Sequence, residues 1–121
     1  MENKAKYQVS SSMNRGILEI VVTGEVTKST YEKVVNEVNA LVKANNAVKV
    51  IADCRAVAKR IKPLELYNYF RNYDSTLFYI RSAIVDLPEN AEYKTAIKDA
   101  GVSSLMWCTD IDAARKWIQS K

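Results

Sequence analysis

A short apolar, β-branched run near the middle of the chain, Val48 to Cys54, ends in an acid and leads into a basic stretch. Continuous apolar runs of this length between two helical patterns are typical of parallel strands that are covered on both faces. In open α/β sheets, ligands and partners meet the chain just beyond the carboxyl ends of such strands. The pattern therefore predicts a central parallel strand over 48–54. It also directs the search for a functional site to Asp53 through Lys62.

The N-terminal third of the chain predicts a hairpin followed by a helix. Tyr7–Met13 and Ile17–Thr23 have strand character, and the polar link between them contains a glycine, which is typical of an antiparallel hairpin. From Tyr31 onward the apolar residues recur at helical spacing. Ser29 and Glu32 have the spacing of a capping box, so we expect them to begin that helix.

The rest of the chain predicts three helices that alternate with two strands. The first helix begins at Pro63 and has an inward stripe of Leu66, Tyr69, Phe70 and Tyr73. A strand follows within 77–86, and then a helix runs from Pro88 to Gly101. The last strand covers 102–108, and the last helix is capped by Thr109. The element order is β-β-α-β-α-β-α-β-α. This order predicts one α/β domain over residues 1–121, in which the antiparallel hairpin leads into a mostly parallel sheet packed with four helices.

Composition and charge exclude several classes of protein. The 121 residues are 48% apolar and 26% charged, as in ordinary globular domains. No stretch approaches the ~20 apolar residues of a membrane span, and the first residues lack the apolar stretch of a secretion signal, so we expect a cytoplasmic location. A net charge of +4 is too small to predict nucleic-acid binding without a clustered patch.

The residue types available for catalysis are few. The chain has no histidine, which removes the commonest general base and metal ligand. Asp53 could act as a base, and the thiol of Cys54 beside Arg55 could have a lowered pKa. We favour structural roles, in which Asp53 binds backbone amides and Cys54 is a small core residue, as is Cys108. Neither a metal-binding spacing nor a glycine-rich phosphate loop is present, so no cofactor is predicted.

One group of cations stands out, and we name residues 55–62 the basic segment. It contains Arg55, Lys59, Arg60 and Lys62 and leads into the predicted helix at Pro63. Backbone amides and the helix dipole would add to these charges, which would suit an anion or an acidic partner. The alternative interpretation is a solvated loop whose charges keep the protein soluble.

The segment after the basic segment is unusually aromatic. Six aromatic residues occur within thirteen positions: Tyr67, Tyr69, Phe70, Tyr73, Phe78 and Tyr79. Most of them should pack between helix and sheet, but six exceed one helical stripe. Any exposed remainder would suit either a protein interface, in which tyrosine is enriched, or the rim of an apolar pocket.

The C-terminal sequence resembles a known family. The segment from Cys108 to Ile118 is similar to the strand, acidic cap, alanine and Trp-aliphatic ending of the SpoIIAA-like family of the STAS superfamily, and 50–53 and 82–85 are similar more loosely. The resemblance implies the STAS fold and a role without catalysis. Anti-sigma-factor antagonists of this superfamily carry a phosphorylatable serine after the central strand. Here no Ser or Thr occurs between Asp53 and Asp74, so that switch is not expected.

Two functions from different classes remain open. The favoured hypothesis is a non-enzymatic module that regulates by binding another protein. The alternative is a small-molecule or lipid-binding protein, since the CRAL-TRIO lipid-transfer domain has a similar overall fold. In that case the pocket would lie between the central strands and the aromatic helix, and Arg55 with 59–62 would hold an anionic head group. A connected cavity beside Tyr67 to Tyr73 would favour a ligand, whereas a flat apolar patch would favour a protein. Self-association into a homo-oligomer stays open.

Overall fold

The computed structural model describes residues 6–72 and 79–120 of the chain. Its elements are β1 (Tyr7–Asn14), β2 (Ile17–Val26), α1 (Tyr31–Ala44), β3 (Lys49–Arg60), α2 (Pro63–Asn72), β4 (Arg81–Val85), a 3-10 turn (Pro88–Asn90), α3 (Ala91–Asp99), β5 (Leu105–Cys108) and α4 (Ile111–Gln119). The element order is the predicted one. Tyr73 and Phe78 lie outside the described residues.

The five strands form one sheet in the order β1-β2-β3-β4-β5. β1 and β2 are antiparallel, and every later pair is parallel, which confirms the predicted hairpin and parallel sheet. Because each crossover moves to the next strand in the same direction, crossovers of one hand place α1, α2 and α3 on the same face. The last helix, α4, covers the opposite face.

The core has two layers, one on each face of the sheet. On the face of α1, the buried side chains of Leu18, Ile20 and Val50 pack with the valines of that helix. On the other face, Ile51 packs with Ile118 of α4. β2 and β3 therefore carry apolar side chains on both faces, as expected for central strands of an α/β sheet.

The central strand is longer than the sequence indicates. It was expected to end at Cys54, but β3 continues through the basic segment to Arg60. Beyond the end of β4, this extension pairs with an equally extended β2, where Val26 lies opposite Arg60. Asp53 is consequently not at the strand end, and 55–60 is not a loop. The pairing contains two register shifts, after Val21 and after Gly24, and these disturb the alternation of side chains.

Both predicted helix caps are displaced by one residue. Thr30, not Ser29, occupies the N-cap of α1, and its hydroxyl donates to Glu25 O at 3.0 Å and accepts from the backbone N–H of Thr27. The prediction of a capping box formed by Ser29 and Glu32 is therefore wrong. For α4 the cap is Asp110, not Thr109. Carboxylates and hydroxyls both serve as caps, so adjacent candidates are hard to separate by sequence.

Candidate functional site

The first two residues of the predicted site form an ion pair with each other on the face of α4. The guanidinium of Arg55 donates to both carboxylate oxygens of Asp53, at 2.9 and 2.8 Å. The backbone N–H of Arg55 also donates to Asp53 Oδ1 at 3.1 Å. These hydrogen bonds hold the pKa of the Asp53 carboxyl below its usual range. A carboxylate held in this way is a poor general base, which supports a structural role for Asp53.

The two lysines of the basic segment lie at the surface. The side chain of Lys59 is 68% exposed, and its Nζ lies 3.7 Å from the carboxylate of Glu25 on the neighbouring strand. Lys62 is exposed at the turn into α2, where its backbone N–H donates to Glu65. Exposed pairs of this kind contribute only about 0–1 kcal/mol to stability. Both ammonium groups are therefore accessible to a partner at little cost to the fold.

Arg60 differs from its neighbours because it points into the protein. Its Nη1 lies 2.5 Å from the carboxylate of Asp86, which is 3% exposed. Its Nη2 donates to the carbonyl oxygens of Cys54 and Val57 at 3.1 and 3.2 Å. The guanidinium also lies 5.5 Å from the ring centroid of Tyr93 in α3. Arg60 therefore fixes the end of β3 to the rest of the domain.

The other oxygen of Asp86 completes this buried network. Asp86 Oδ1 accepts from the backbone N–H of Leu87 at 2.8 Å and from the side-chain amide of Asn90 at 3.0 Å. One carboxylate thus joins the ends of two parallel strands to the 3-10 turn that precedes α3. The sequence did not single out Asp86. An acid directly after a buried parallel strand and shortly before a proline is the pattern that could have found it.

The four cations of the basic segment do not converge on one site. Arg55 faces α4, whereas Arg60 faces the interior beneath α2 and α3. Lys59 and Lys62 remain at the surface near the start of α2. Three of the four cations are paired with a carboxylate. The geometry therefore does not provide the joint head-group site that the sequence suggested for Arg55 and 59–62.

A cavity of about 160 Å³ lies between the sheet and the three helices on its α1 face. Among the described residues, its walls come from β2 to β5 and from α1, α2 and α3, and they are almost entirely apolar. Tyr69 and Phe70 of the aromatic helix line it, whereas Tyr67 does not, and Tyr73 lies outside the described residues. This cavity occupies the place that the sequence assigned to a ligand pocket.

Two tyrosines are shared by this cavity and a surface cleft. The rings of Tyr31 and Tyr69 meet edge to face, with centroids 4.6 Å apart and planes at 76°. Both residues line the cavity, and both also line a surface cleft of about 350 Å³ between the beginning of α1 and the length of α2. Burial raises the pKa of the Tyr31 hydroxyl, so it is uncharged.

The thiol of Cys54 also lines the cavity. Burial is the main cause that raises its pKa to about 12, and the nearby carboxylate of Asp86 adds to the effect. Arg55, which the sequence placed beside the thiol, is instead bound to Asp53. The thiolate is the reactive form of cysteine, so a pKa this high opposes a nucleophilic role. The pKa of Cys108 is also raised by burial.

An ion pair between Arg115 and Glu19 attaches α4 to the sheet. Arg115 donates through Nε and Nη2 to the two carboxylate oxygens of Glu19, at 2.9 and 2.8 Å. The side-chain amide of Asn14 donates to the same carboxylate. The hydrogen bond from Arg115 is the largest cause that lowers the pKa of Glu19. This pair lies on the face opposite the cavity.

Glu19→Gln is expected to lower the free energy of unfolding by about 1 kcal/mol at pH 7. Because the pKa of Glu19 is lowered by folding, its contribution is complete above the ordinary value of 4.5 and is lost as the pH falls through the folded value. The difference between wild type and variant should therefore disappear in acid. Urea titrations from pH 7 to pH 3 measure it. Asp112→Asn, which removes the exposed second partner of Arg115, is the control and should cost less.

Within residues 6–72 and 79–120, no helix is long and apolar enough to cross a membrane. In the same residues, no three Cys, Asp or Glu side chains are grouped so that they could hold a metal ion.

Two solved structures share this fold. An anti-sigma factor antagonist from Mycobacterium paratuberculosis superposes with a TM-score of 0.65 at 14% identity, over 94% of this chain and 95% of that one. An uncharacterised Shewanella loihica protein with a SpoIIAA-like fold superposes with a TM-score of 0.57 at 13% identity, over 98% of both chains. No family model matches the sequence, and no curated protein matches it. The chain has a SpoIIAA-like fold, which confirms the fold that the C-terminal resemblance implied.

Proposed function

We propose that this protein is a non-enzymatic, cytoplasmic module that regulates another protein by binding it. The observation that carries the proposal is the shared fold with an anti-sigma factor antagonist, a protein described by its action on a protein partner. Asp53 and Cys54 were the candidate catalytic residues. The Asp53 carboxylate is bound to Arg55, and the pKa of the Cys54 thiol is raised, which supports structural roles for both. Fold alone does not determine function, so binding of a partner also requires a suitable surface on the domain.

The proposed partner surface lies where β3 leads into α2. Leu64, the second residue of α2, is 68% exposed, and the exposed lysines Lys59 and Lys62 lie close to it in the chain. A single exposed leucine is common, but one with a basic surround suits an acidic partner with an apolar contact. Because no Ser or Thr lies between Asp53 and Asp74, this surface would not be switched by phosphorylation of those residue types.

A photo-cross-linking residue at Leu64 should capture a discrete protein in extracts of the native host. The matched control is Val48, which is 66% exposed but precedes the first residue of β3, so it lies at the opposite end of the sheet. The double variant Lys59→Glu, Lys62→Glu should reduce the capture about tenfold. It replaces two positive charges beside Leu64 by negative ones, which would repel an acidic partner. Arg60 is left unchanged since its partner Asp86 is buried.

Two results would contradict this surface. Equal capture at the two positions would indicate non-specific contact, and unchanged capture in the double lysine variant would remove the role of the charges. Binding of a purified captured protein, measured at two salt concentrations, then gives the affinity and its electrostatic part.

A second candidate function is the binding of a small molecule. It is favoured by one specific observation, the apolar cavity of about 160 Å³ beside Tyr69 and Phe70. Among the described residues, the exposed large apolar side chains include one from α2, Leu64, and four from elsewhere in the chain: Met13, Val21, Val48 and Tyr79. An apolar cavity is the arrangement expected for a protein that binds a small molecule.

A further inference from the structure

The outer edge of β1 lacks the features that usually keep edge strands apart. β1 has eight residues, none of them charged and none proline, and its pairing with β2 runs without a register shift. Sheets commonly protect an edge by shortness, charge, proline or a bulge, because unpaired backbone groups pair with any strand that approaches. The other edge strand, β5, is only four residues long. In the described part of the chain, no strand pairs with the outer side of β1.

The hairpin turn determines which residues of β1 present backbone groups at the outer edge. Arg15 and Gly16 have φ of 53° and 83°, as in a type I′ turn. The two residues that flank such a turn exchange backbone hydrogen bonds, and this pairing recurs at every second residue along the hairpin. The bond from Glu25 N to Lys6 O, at 2.8 Å, has the same phase. The N–H and C=O groups that point outward therefore belong to the odd-numbered residues of the strand: Tyr7, Val9, Ser11 and Met13.

A second copy of β1 fits this edge in an antiparallel register. When Ser10 lies opposite Ser10 of the second copy, Tyr7 lies opposite Met13, and Val9 lies opposite Ser11. This register pairs all the outward-pointing N–H and C=O groups of both strands, whereas a shift in either direction leaves some of them without a partner. The pairing is also self-complementary, as a two-fold symmetric interface requires. Because the strand is uncharged, no like charges meet along it.

We propose that two copies of this chain associate through β1, so that their sheets join into one continuous sheet around a two-fold axis at Ser10. Exposed apolar side chains of the hairpin support this arrangement. Met13, which is 50% exposed, would lie opposite the ring of Tyr7 from the second copy, a favourable contact for a thioether. Val21, which is 38% exposed, pairs with Ser10 within one copy and would therefore lie beside the axis. This interface is separate from both proposed functions.

A proline substitution tests whether the outer edge is the interface. Sedimentation equilibrium of the full-length protein over a range of concentrations should show reversible formation of a species with twice the mass of the chain. Ser11→Pro removes an outward-pointing N–H and no bond to β2, a position at which edge strands tolerate proline. It removes one hydrogen bond from each half of the symmetric pair, so the dissociation constant should rise about tenfold or more. Ser11→Thr keeps the N–H and is the matched control. Circular dichroism checks that both variants are folded.

Charges at Ser10 test the register and the identity of the occupant. Because this residue would face its own copy across the axis, Ser10→Lys alone and Ser10→Glu alone each place like charges opposite each other. Each variant should weaken the dimer about two- to fivefold. An equimolar mixture of the two should instead form mixed dimers more tightly than either variant alone. Gln8→Lys is the control, since Gln8 is also exposed but would lie opposite the neutral Ser12 of the second copy, so its effect should be smaller.

Each measurement has a result that would overturn the inference. A protein that stays monomeric at every concentration would exclude the second copy, whether or not a strand of another protein pairs with β1. Dimers that form equally well in Ser11→Pro and Ser11→Thr would show that the copies associate through another surface. A mixture of the two charged variants at Ser10 that associates no better than either alone would remove the proposed axis.

Discussion

Asp86→Ala is expected to lower the free energy of unfolding by about 3–5 kcal/mol, a large part of the total stability of a small domain. The variant would leave the guanidinium of Arg60, whose side chain is 19% exposed, without the carboxylate that neutralises it. It would also remove the acceptor for Leu87 N and for Asn90. Chemical unfolding in urea, followed by circular dichroism, measures the change.

A double-mutant cycle assigns this loss to the ion pair. Arg60→Met leaves the carboxylate of Asp86 buried without its cation, so it should also be strongly destabilising. The double variant should cost clearly less than the sum of the two single variants, because no unpaired buried charge remains. Lys59→Met is the matched surface control, and it should change stability by at most about 1 kcal/mol. Additive losses, or a loss below 1 kcal/mol for Asp86→Ala, would contradict the role of the network.

The same ion pair determines how the two proposed functions can be tested separately. Arg60 lines the cavity, whereas Lys59 and Lys62 lie at the surface. Substitutions of the lysines therefore address the partner surface without disturbing the ligand cavity. A variant that neutralised all the cations of the basic segment would instead confuse loss of binding with loss of folding.

The sheet and helices could be predicted from the sequence because each element buries a face with a regular period. β2 alternates, α1 repeats at helical spacing, and the start of β3 is continuously apolar. These patterns report burial directly. The order of elements, the hairpin and the parallel sheet followed from them, and the fold is confirmed by the two similar structures.

The extension of β3 could not be predicted in this way. The register shifts between β2 and β3 place Cys54, Val57 and Arg60 at the cavity, a spacing of three residues. That spacing matches neither the period of a strand nor that of a helix. The extension also contains three of the four cations of the basic segment, so its sequence resembles that of a loop. The pairing that keeps the segment extended comes from β2, more than thirty residues earlier in the chain.

The candidate site was only partly predictable for a related reason. Tyr69 was predicted because aromatic residues are concentrated in α2, which is a local property of the sequence. The partnership of Arg60 with Asp86 spans 26 positions, so no local pattern in the sequence indicates it. A cavity is the space that packed elements leave between them, so no single segment encodes it.

Gly24→Ala is expected to destabilise the protein by about 2–5 kcal/mol, the sum of backbone strain and a disturbed strand pair. Gly24 has φ of +87°, and an added Cβ would lie 2.2 Å from Lys6 O and 2.9 Å from Tyr7 Cα. That carbonyl accepts from Glu25 N at 2.8 Å, so β1 would have to move away and lose the bond.

Gly101→Ala isolates the conformational part of the Gly24 effect. Gly101 has nearly the same φ, +82°, but an added Cβ meets nothing within 4 Å. Its substitution should cost only the strain, about 1–2 kcal/mol. In Gly24→Ala, amide exchange should also accelerate at Tyr7 and along the start of β1, whereas Gly101→Ala should leave that exchange unchanged. Equal losses of stability in the two variants would show that β1 can move away from residue 24 without a cost in free energy. A larger loss at Gly24 would show that the close approach of β1 fixes β2 immediately before the register shift that leads to Arg60 and the cavity.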